Sequence, residues 1–484
     1  MGFLCGVKGG FSVKFGEYLE ECIKKRGVPV GTVATQIGIN RGNLYSVFGG
    51  KRKISQDDLY KIISMLALSN SETEKLLNKY FELEYGKKEF KRVRYIFDAV
   101  NKMPDTYYEA EKPPIKTVSD LKNLSDESDI VSAADFIIEN SEGEIYSNYP
   151  FSFKNLDGLF FYYVKEKGLN LRHLVSVQPD ARGTEDLENL FSSVRFMYER
   201  CYPYLIELPS FKNNVLIYPY FIVSEKYVMV FDENQGTVVE SKSFAASFLE
   251  KINSQYYDKA VLTGTVPDDI LGIKDICAQS FVNDSDYRYE LSPYPCVAPY
   301  GDKAFFSSVA VDSMPADVKH ELVNICYDHY QRMFSKSHVT QLISYEAFDR
   351  LIERRVIDEL PETYAKLIDE EHILDLLIKM LEDVKTGKIQ IVDSRLFHIS
   401  CNFFVELNPV YLSLSGTDFT KENFMVPDSF YATIYSKSIA LSFGNFFDYL
   451  IRSKKVLSNE VAVGHLENRI VQVRSRIENK NKPL

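Results

Sequence analysis

Apolar positions in the first hundred residues recur at steps of three and four. Phe15, Tyr18, Leu19, Cys22 and Ile23 form one stripe, which predicts a helix over 15–26 ended by Gly27. A second short helix is expected over Val30–Gly38. Asn40 stands where an N-cap belongs, before a third over Arg41–Phe48 that Gly49-Gly50 closes. Ser55 caps a fourth, Gln56–Leu66, whose first turn holds Asp57 and Asp58, where the helix dipole favours anions. Ser71, with Glu74 three residues on, reads as a capping box before Leu76-Leu77. A further helix, Lys87–Met103, turns Phe90, Val93, Phe97 and Val100 inward. Its basic run Lys87-Lys88-Glu89-Phe90-Lys91-Arg92-Val93-Arg94 is either a phosphate-contacting face or a solvated one.

Periodicity then fails. Pro104, Pro113 and Pro114 and the polar stretch Thr117–Ser128 read as linker over 104–128. Beyond it, strand and helix patterns mix. Glu185–Leu205 has helical spacing. Asn214–Val223, Tyr227–Phe231 and Thr237–Glu240 read as strands, followed by a helix over Lys242–Asn253. Later helices are expected over Ala316–Met333, Ile343–Val356, Pro361–Val384, Ile439–Ile451 and Ser458–Ile477, with strands between Lys388 and Tyr435. This pattern predicts an α+β body, a mixed or antiparallel sheet with packed helices. Ser241–Phe248 matches Ser436–Phe443 at six of eight positions, 195 residues apart, each ahead of a helix of similar length. The match is either a duplication into two similar lobes or chance between two serine-capped turns.

Composition bounds the rest. The 484 residues suffice for two or three domains with real cores. Aromatic side chains are supplied by 32 Tyr and 33 Phe without Trp, a load suited to half-buried strands. The seven cysteines are scattered and form no CxxC pair, so reduced thiols, a cytoplasmic protein and no disulfide or structural metal are expected. No run reaches the ~20 apolar residues of a membrane span, and the N-terminus lacks the pattern of a signal peptide. Residues 1–103 carry 18 basic and 11 acidic side chains, a net of +7, while the remainder nets −18. An acidic body with a basic head points to a polyanion contact confined to the head.

The head also carries a motif. Short helix, glycine turn, short helix is the helix-turn-helix plan. Ala34 is small where two helices cross, Gly38 can take the positive φ of the turn, and Leu44 and Val47 anchor the second helix. Over residues 13–85, the run Val33-Ala34-Thr35-Gln36-Ile37-Gly38-Ile39-Asn40-Arg41-Gly42-Asn43-Leu44-Tyr45-Ser46-Val47, then Gly50-Lys51-Arg52-Lys53, resembles the lambda-repressor-like, or XRE, family of DNA-binding domains. The resemblance implies an all-α five-helix domain whose third helix enters the major groove. Carried over by position, Arg41, Gly42, Tyr45 and Ser46 face base edges, Asn43 lies close to the backbone, Lys51, Arg52 and Lys53 follow where phosphates run, and the capping Asn40 belongs to the same DNA-binding set. Arg41 could bond a guanine through O6 and N7. Val30, after Pro29, stands where the family commonly has a polar residue.

Catalytic motifs are lacking: there is no P-loop, GxGxxG, GxSxG or HExxH. His173, His320, His329, His338, His372, His398 and His465 are dispersed, and Cys326 with His329 makes two ligands, not a site. The expected organisation is residues 1–86 as the helix-turn-helix domain, 87–128 as connecting helix and linker, 129–310 as an α+β lobe and 311–484 as a helix-rich α+β lobe. The expected function is a cytoplasmic, non-enzymatic, sequence-specific transcriptional regulator without cofactor. Its partners would be double-stranded DNA and a second copy of the chain, with a small-molecule or peptide effector left open and no membrane contact. The body would sense a signal or hold a homodimer through Pro361–Val384 or the C-terminal helix. The alternative is an intracellular assembly protein whose helical head does not bind DNA.

Overall fold

A computed structural model describes residues 14–106, 111–117, 120–151, 153–177, 183–198, 201, 203–207, 218–262, 264–265, 287–336, 338–357, 364–399, 402–407, 410–416, 430–434 and 436–480. The chain divides into two compact units, residues 1–91 and 92–484.

In the first unit the helices are α1 (Phe15–Lys25), α2 (Val30–Gln36), α3 (Arg41–Phe48), α4 (Gln56–Met65) and α5 (Asn70–Tyr85). Gly27, Gly38 and Gly50 all lie at positive φ, at the ends of α1, α2 and α3. The stripes close on one core: Leu19, Ile23, Val33, Leu44, Leu59, Ile62, Leu76 and Phe81 are fully buried or nearly so. The start of α5 differs from expectation. Ser69 is the N-cap, not Ser71: its Oγ accepts from Glu72 N at 3.3 Å, and the Glu72 carboxylate accepts from Ser69 N at 3.0 Å. Two overlapping S-x-x-E boxes compete here, and the first wins because Glu72 also takes Lys25 and Arg26 of the α1 end, at 3.1 and 2.6 Å. The Ser69 backbone N–H and these cations hold the Glu72 carboxyl down to about 2.

Helix α6 (Lys87–Thr106) runs past Pro104, beyond the expected end at Met103. The second unit is α+β. Its first sheet has the order β6-β5-β4-β1-β2-β3-β7, built from β1 (Ile145–Ser147), β2 (Leu171–Val177), β3 (Tyr204–Glu207), β4 (Tyr220–Val223), β5 (Tyr227–Phe231), β6 (Gly236–Glu240) and β7 (Val261–Leu262). The pairs β1–β2 and β2–β3 are parallel, and the rest are antiparallel, so the sheet is mixed. Among the described residues this half has helices α7 (Glu127–Glu139), α8 (Lys154–Lys167), α9 (Glu185–Tyr198) and α10 (Lys242–Gln255). On one face Leu174, Phe221, Val223 and Val228 pack with Ala245 and Ile252 of α10. The helix expected over Glu185–Leu205 ends at Tyr198, because Tyr204–Glu207 pairs in parallel with Leu174–Val177.

The second sheet runs β11-β10-β9-β12-β13-β14-β8, with β8 (Gly264–Thr265), β9 (Tyr287–Ser292), β10 (His338–Ser344), β11 (Ile389–Val392), β12 (Asn402–Leu407), β13 (Val410–Gly416) and β14 (Phe430–Ile434). It too is mixed: β9–β10 and β10–β11 are parallel, and β9–β12–β13–β14–β8 is antiparallel. Its strands lie on both sides of the 310/311 division expected from the sequence. Helices α11 (Lys303–Val309), α12 (Ala316–Lys336), α13 (Ala347–Arg354), α14 (Glu370–Thr386), α15 (Lys437–Arg452) and α16 (Asn459–Lys480) complete this half. Two expected helices are shortened. Ile343 belongs to β10, paired with Ser292 and Ile391, and α13 begins only at Ala347. Helix α14 begins at Glu370, where Asp369 caps it by accepting from His372 N at 2.8 Å, not at Pro361, which lies outside the described residues. The apolar stripe of α14 (Ile373, Leu376, Leu377, Met380) is spent inside the core with Leu466 and Ile470 of α16.

Arg92 of α6 ties the two halves of this unit together. It is 3% exposed, and Asp186 at the start of α9 is 1% exposed. Its Nη1 and Nη2 donate to the two Asp186 carboxylate oxygens at 2.7 and 2.8 Å, Nη1 also reaches Gly183 O at 2.6 Å, and Nε donates to Ser442 Oγ of α15 at 2.7 Å. Farther along α6, Arg94 donates to Tyr449 Oη at 3.0 Å and the Phe97 ring lies 4.8 Å from that of Phe397.

A second polar cluster lies under the first sheet. Ser147 Oγ and His173 Nδ1 are 2.7 Å apart on neighbouring strands, 0% and 1% exposed. Burial depresses His173 to about 3, so the ring is neutral. The pair is sealed within the core, and His173 Nε2 is buried there without a hydrogen-bond partner among the described residues. Nearby, burial pushes the Asp157 carboxyl up to about 7 against the pull of Arg195, whose Nη1 stands 3.4 Å away.

Two measurements follow from these buried groups. Asp186→Ala leaves the Arg92 guanidinium buried without its counter-ion, and should cost about 3–5 kcal/mol in chemical denaturation. For Asp157, an unfolded carboxyl titrates near ~3.9. The folded protein therefore keeps a proton that the unfolded chain has lost, and this contribution disappears as pH rises from about 4 to about 7. Measured against wild type, Asp157→Asn should gain in relative Tm as pH rises through that window. A difference that is flat with pH would refute the raised carboxyl.

Candidate nucleic-acid interface

The residues singled out from the sequence gather on α3 and the loop after it. Asn40 has extended backbone, and its Oδ1 accepts from Asn43 N at 2.7 Å, so it caps the helix and fixes where the first turn begins. Leu44, Val47 and Phe48 face the core. Arg41, Gly42 and Tyr45 are exposed on the other side, with Asn43 and Ser46 half-buried beside them. Ser46 does not project freely: its Oγ donates to Gly42 O at 3.0 Å, and its carbonyl accepts from Lys51 N and Arg52 N at 2.8 and 3.2 Å. Ser46 thus folds the Lys51–Lys53 loop back against the end of α3. Lys51, Arg52 and Lys53 are all exposed.

Arg41 is held rather than loose. Its Nη2 donates to Tyr45 Oη at 3.1 Å, and its guanidinium carbon lies 5.4 Å from the Tyr45 ring centroid. An open groove of about 760 Å³ lies beside it, lined by Pro29, Val30, Gly31, Thr32, Thr35, Gln36 and Arg41.

Charge separates this face from the rest of the first unit. Lys24 pairs with Glu20, Lys25 and Arg26 with Glu72, and Lys61 with Asp58. Among the described residues no carboxylate pairs with Arg41, Lys51, Arg52 or Lys53. The acids of the unit neutralise the α1, α4 and α5 side and leave the α3 side positive.

One structural contributor was not singled out from the sequence. Gly16 of α1 is buried against the end of α3, and a Cβ there would come within 2.3 Å of Phe48 O and 2.4 Å of Val47 O. It sets how closely α1 approaches the back of α3. Its signal in the sequence was a glycine inside an otherwise regular helix. The basic run at 87–94 divides in use: Lys87, Lys88 and Lys91 are exposed, whereas Arg92 is consumed in the buried pair with Asp186.

A second group of polar side chains lies in the other unit. Asp302, Glu371, His372, Asp375 and Lys379 line a cavity of about 280 Å³, in which His372 Nδ1 is already engaged by Asp369 at 2.7 Å. Among the described residues no group of three or more His, Cys, Asp or Glu is placed to hold a metal, and no helix is long and apolar enough to cross a membrane.

No family model matches the chain, and no curated protein matches it. Solved structures that match include phosphatidylserine synthase from Haemophilus influenzae Rd KW20, at 11% identity over 79% of this chain and 98% of that one, with a TM-score of 0.23. They also include TrmBL2, an archaeal chromatin protein, at 13% identity over 51% of this chain and 100% of that one, again with a TM-score of 0.23.

Proposed function

We propose that this protein is a sequence-specific DNA-binding transcriptional regulator of the XRE type and not an enzyme. Its first unit reads duplex DNA as a five-helix helix-turn-helix domain, and its second unit holds a homodimer and takes any effector. The observation that carries the reading is the α3 side of the first unit. An exposed, capped helix start bearing Arg41 is followed by Lys51, Arg52 and Lys53, all without carboxylate partners among the described residues. Phosphates reward such a surface by counterion release, and base edges are reached from the first turn of a helix laid in the major groove. Gly31 and Gly42 leave the space beside Arg41 open, since a Cβ on Gly31 would meet nothing within 4 Å and one on Gly42 only Asn40 Oδ1 at 3.4 Å.

Two like lobes in the second unit are part of this reading. Three parallel strands joined by helices, then three antiparallel strands, describe both β1–β6 and β9–β14, and the spatial order is the same in both sheets. Ser241 and Ser436 follow the last strand of each set. Each caps the next helix, accepting from Phe244 N and Ile439 N, and each Oγ stands 3.3 Å from that of the serine two residues on. The six-of-eight sequence match falls on this shared position.

Full-length protein should bind duplex DNA with an affinity that falls steeply with salt. Arg41→Ala should cost about 1–3 kcal/mol on the preferred site and relax specificity there. Folded protein without salt-sensitive binding, together with no operator in genomic footprinting, would end the regulator reading. Light scattering should give the mass of a dimer, since one short half-site per head demands two heads set about one helical turn apart. A monomer at micromolar concentration that stays monomeric on DNA would rule the homodimer out.

A further inference from the structure

An arginine at the exposed start of a helix ordinarily samples many rotamers and serves any nearby phosphate. Arg41 is different, because two side chains in succession fix it. Phe48 is 6% exposed and belongs to the core of the first unit. Tyr45, 44% exposed, sets its ring edge-on against Phe48 at 5.8 Å and 89°. The Tyr45 hydroxyl then accepts from Arg41 Nη2 at 3.1 Å, with the guanidinium 5.4 Å from the ring centroid. Arg41 and Tyr45 are four residues apart and so share one face of α3. Among the described residues one of the five guanidinium N–H groups is engaged, by Tyr45, and four are open to a ligand. Gly42, between the two, adds no side chain to the space beside them.

Taking α3 as the DNA-reading helix, on which this inference rests, we infer that Tyr45 is a positioning residue that sets Arg41 as a fixed fork for a single guanine. A guanidinium held in one plane can meet O6 and N7 of guanine together, whereas a freely rotating one spends the same charge on phosphates. Holding the fork in advance removes part of the ordering cost of binding. Discrimination at one base position is then the product of two residues, and the hydroxyl of Tyr45 is the part that does not touch the base.

The test selects duplexes from a randomised pool with full-length wild type, Arg41→Ala and Tyr45→Phe. Affinities are then measured on the selected duplex and on the same duplex with 7-deazaguanine, which lacks N7, at the selected guanine. Wild type should lose roughly 5- to 100-fold on the deaza duplex. Arg41→Ala should be insensitive to that replacement. Tyr45→Phe keeps the ring and deletes only the hydroxyl. It should lose most of the guanine discrimination, its affinities for the selected and the deaza duplex converging. Undiminished discrimination by Tyr45→Phe would overturn the inference, as would a selected guanine indifferent to Arg41→Ala, and both would leave the DNA-binding reading standing. Failure of wild type to enrich any duplex or to bind with salt dependence would overturn the DNA-binding reading itself.

Discussion

A guanidinium removed from water must have its charge matched and its N–H groups engaged, and Arg92 meets that demand with groups from both halves of the second unit. Asp186 and Gly183 belong to the stretch that opens α9 beside the first sheet, and Ser442 belongs to α15 beside the second. The cost of burying the charge is offset only if all three arrive together, so the pair specifies an arrangement more than it adds net stability. Arg94 on Tyr449 and Phe97 on Phe397 then follow along the same helix.

Near the N-terminus the chemistry is local, and there the sequence is easiest to read. Caps, glycine stops and stripes lie within a few residues of what they determine, and α3 spans Arg41–Phe48 as its Asn40 cap and glycine pair imply. Even there, competition between Ser69 and Ser71 for the start of α5 was decided by Lys25 and Arg26, which lie more than forty residues earlier. Deeper in the chain, strands such as Tyr220–Val223 are buried on both faces and lose their alternation. The apolar run at Ile343 read as helix for the same reason: a buried strand and a buried helix segment share composition, and pairing with β9 and β11 decides between them.

The candidate interface divides in the same way. Arg41 and the Lys51-Arg52-Lys53 cluster were legible as exposed positions around a short capped helix. That their charge remains uncompensated depends on where Glu20, Asp58 and Glu72 find partners. Arg92 sat in the same basic run as Lys87, Lys88 and Lys91, and nothing local set it apart. Its counter-ion is 94 residues away, and only the folded chain distinguishes a structural cation from a surface one.

The outer strands of the two sheets carry a different consequence. Leu121 and Leu124 bond to β6, and Leu457 bonds to β11 at Ile391. Val261–Leu262 lies along β3 and Gly264–Thr265 along β14, so a single stretch of chain finishes one sheet and begins the next. At β6 and β11 the border is covered by a short segment of the protein's own backbone, and at the other ends the outermost strands, β7 and β8, are only two residues long, too short to template a long added strand. Continuation of either sheet into a neighbouring copy is disfavoured by such borders, a protection against edge-to-edge pairing that comes from strand length and covering segments.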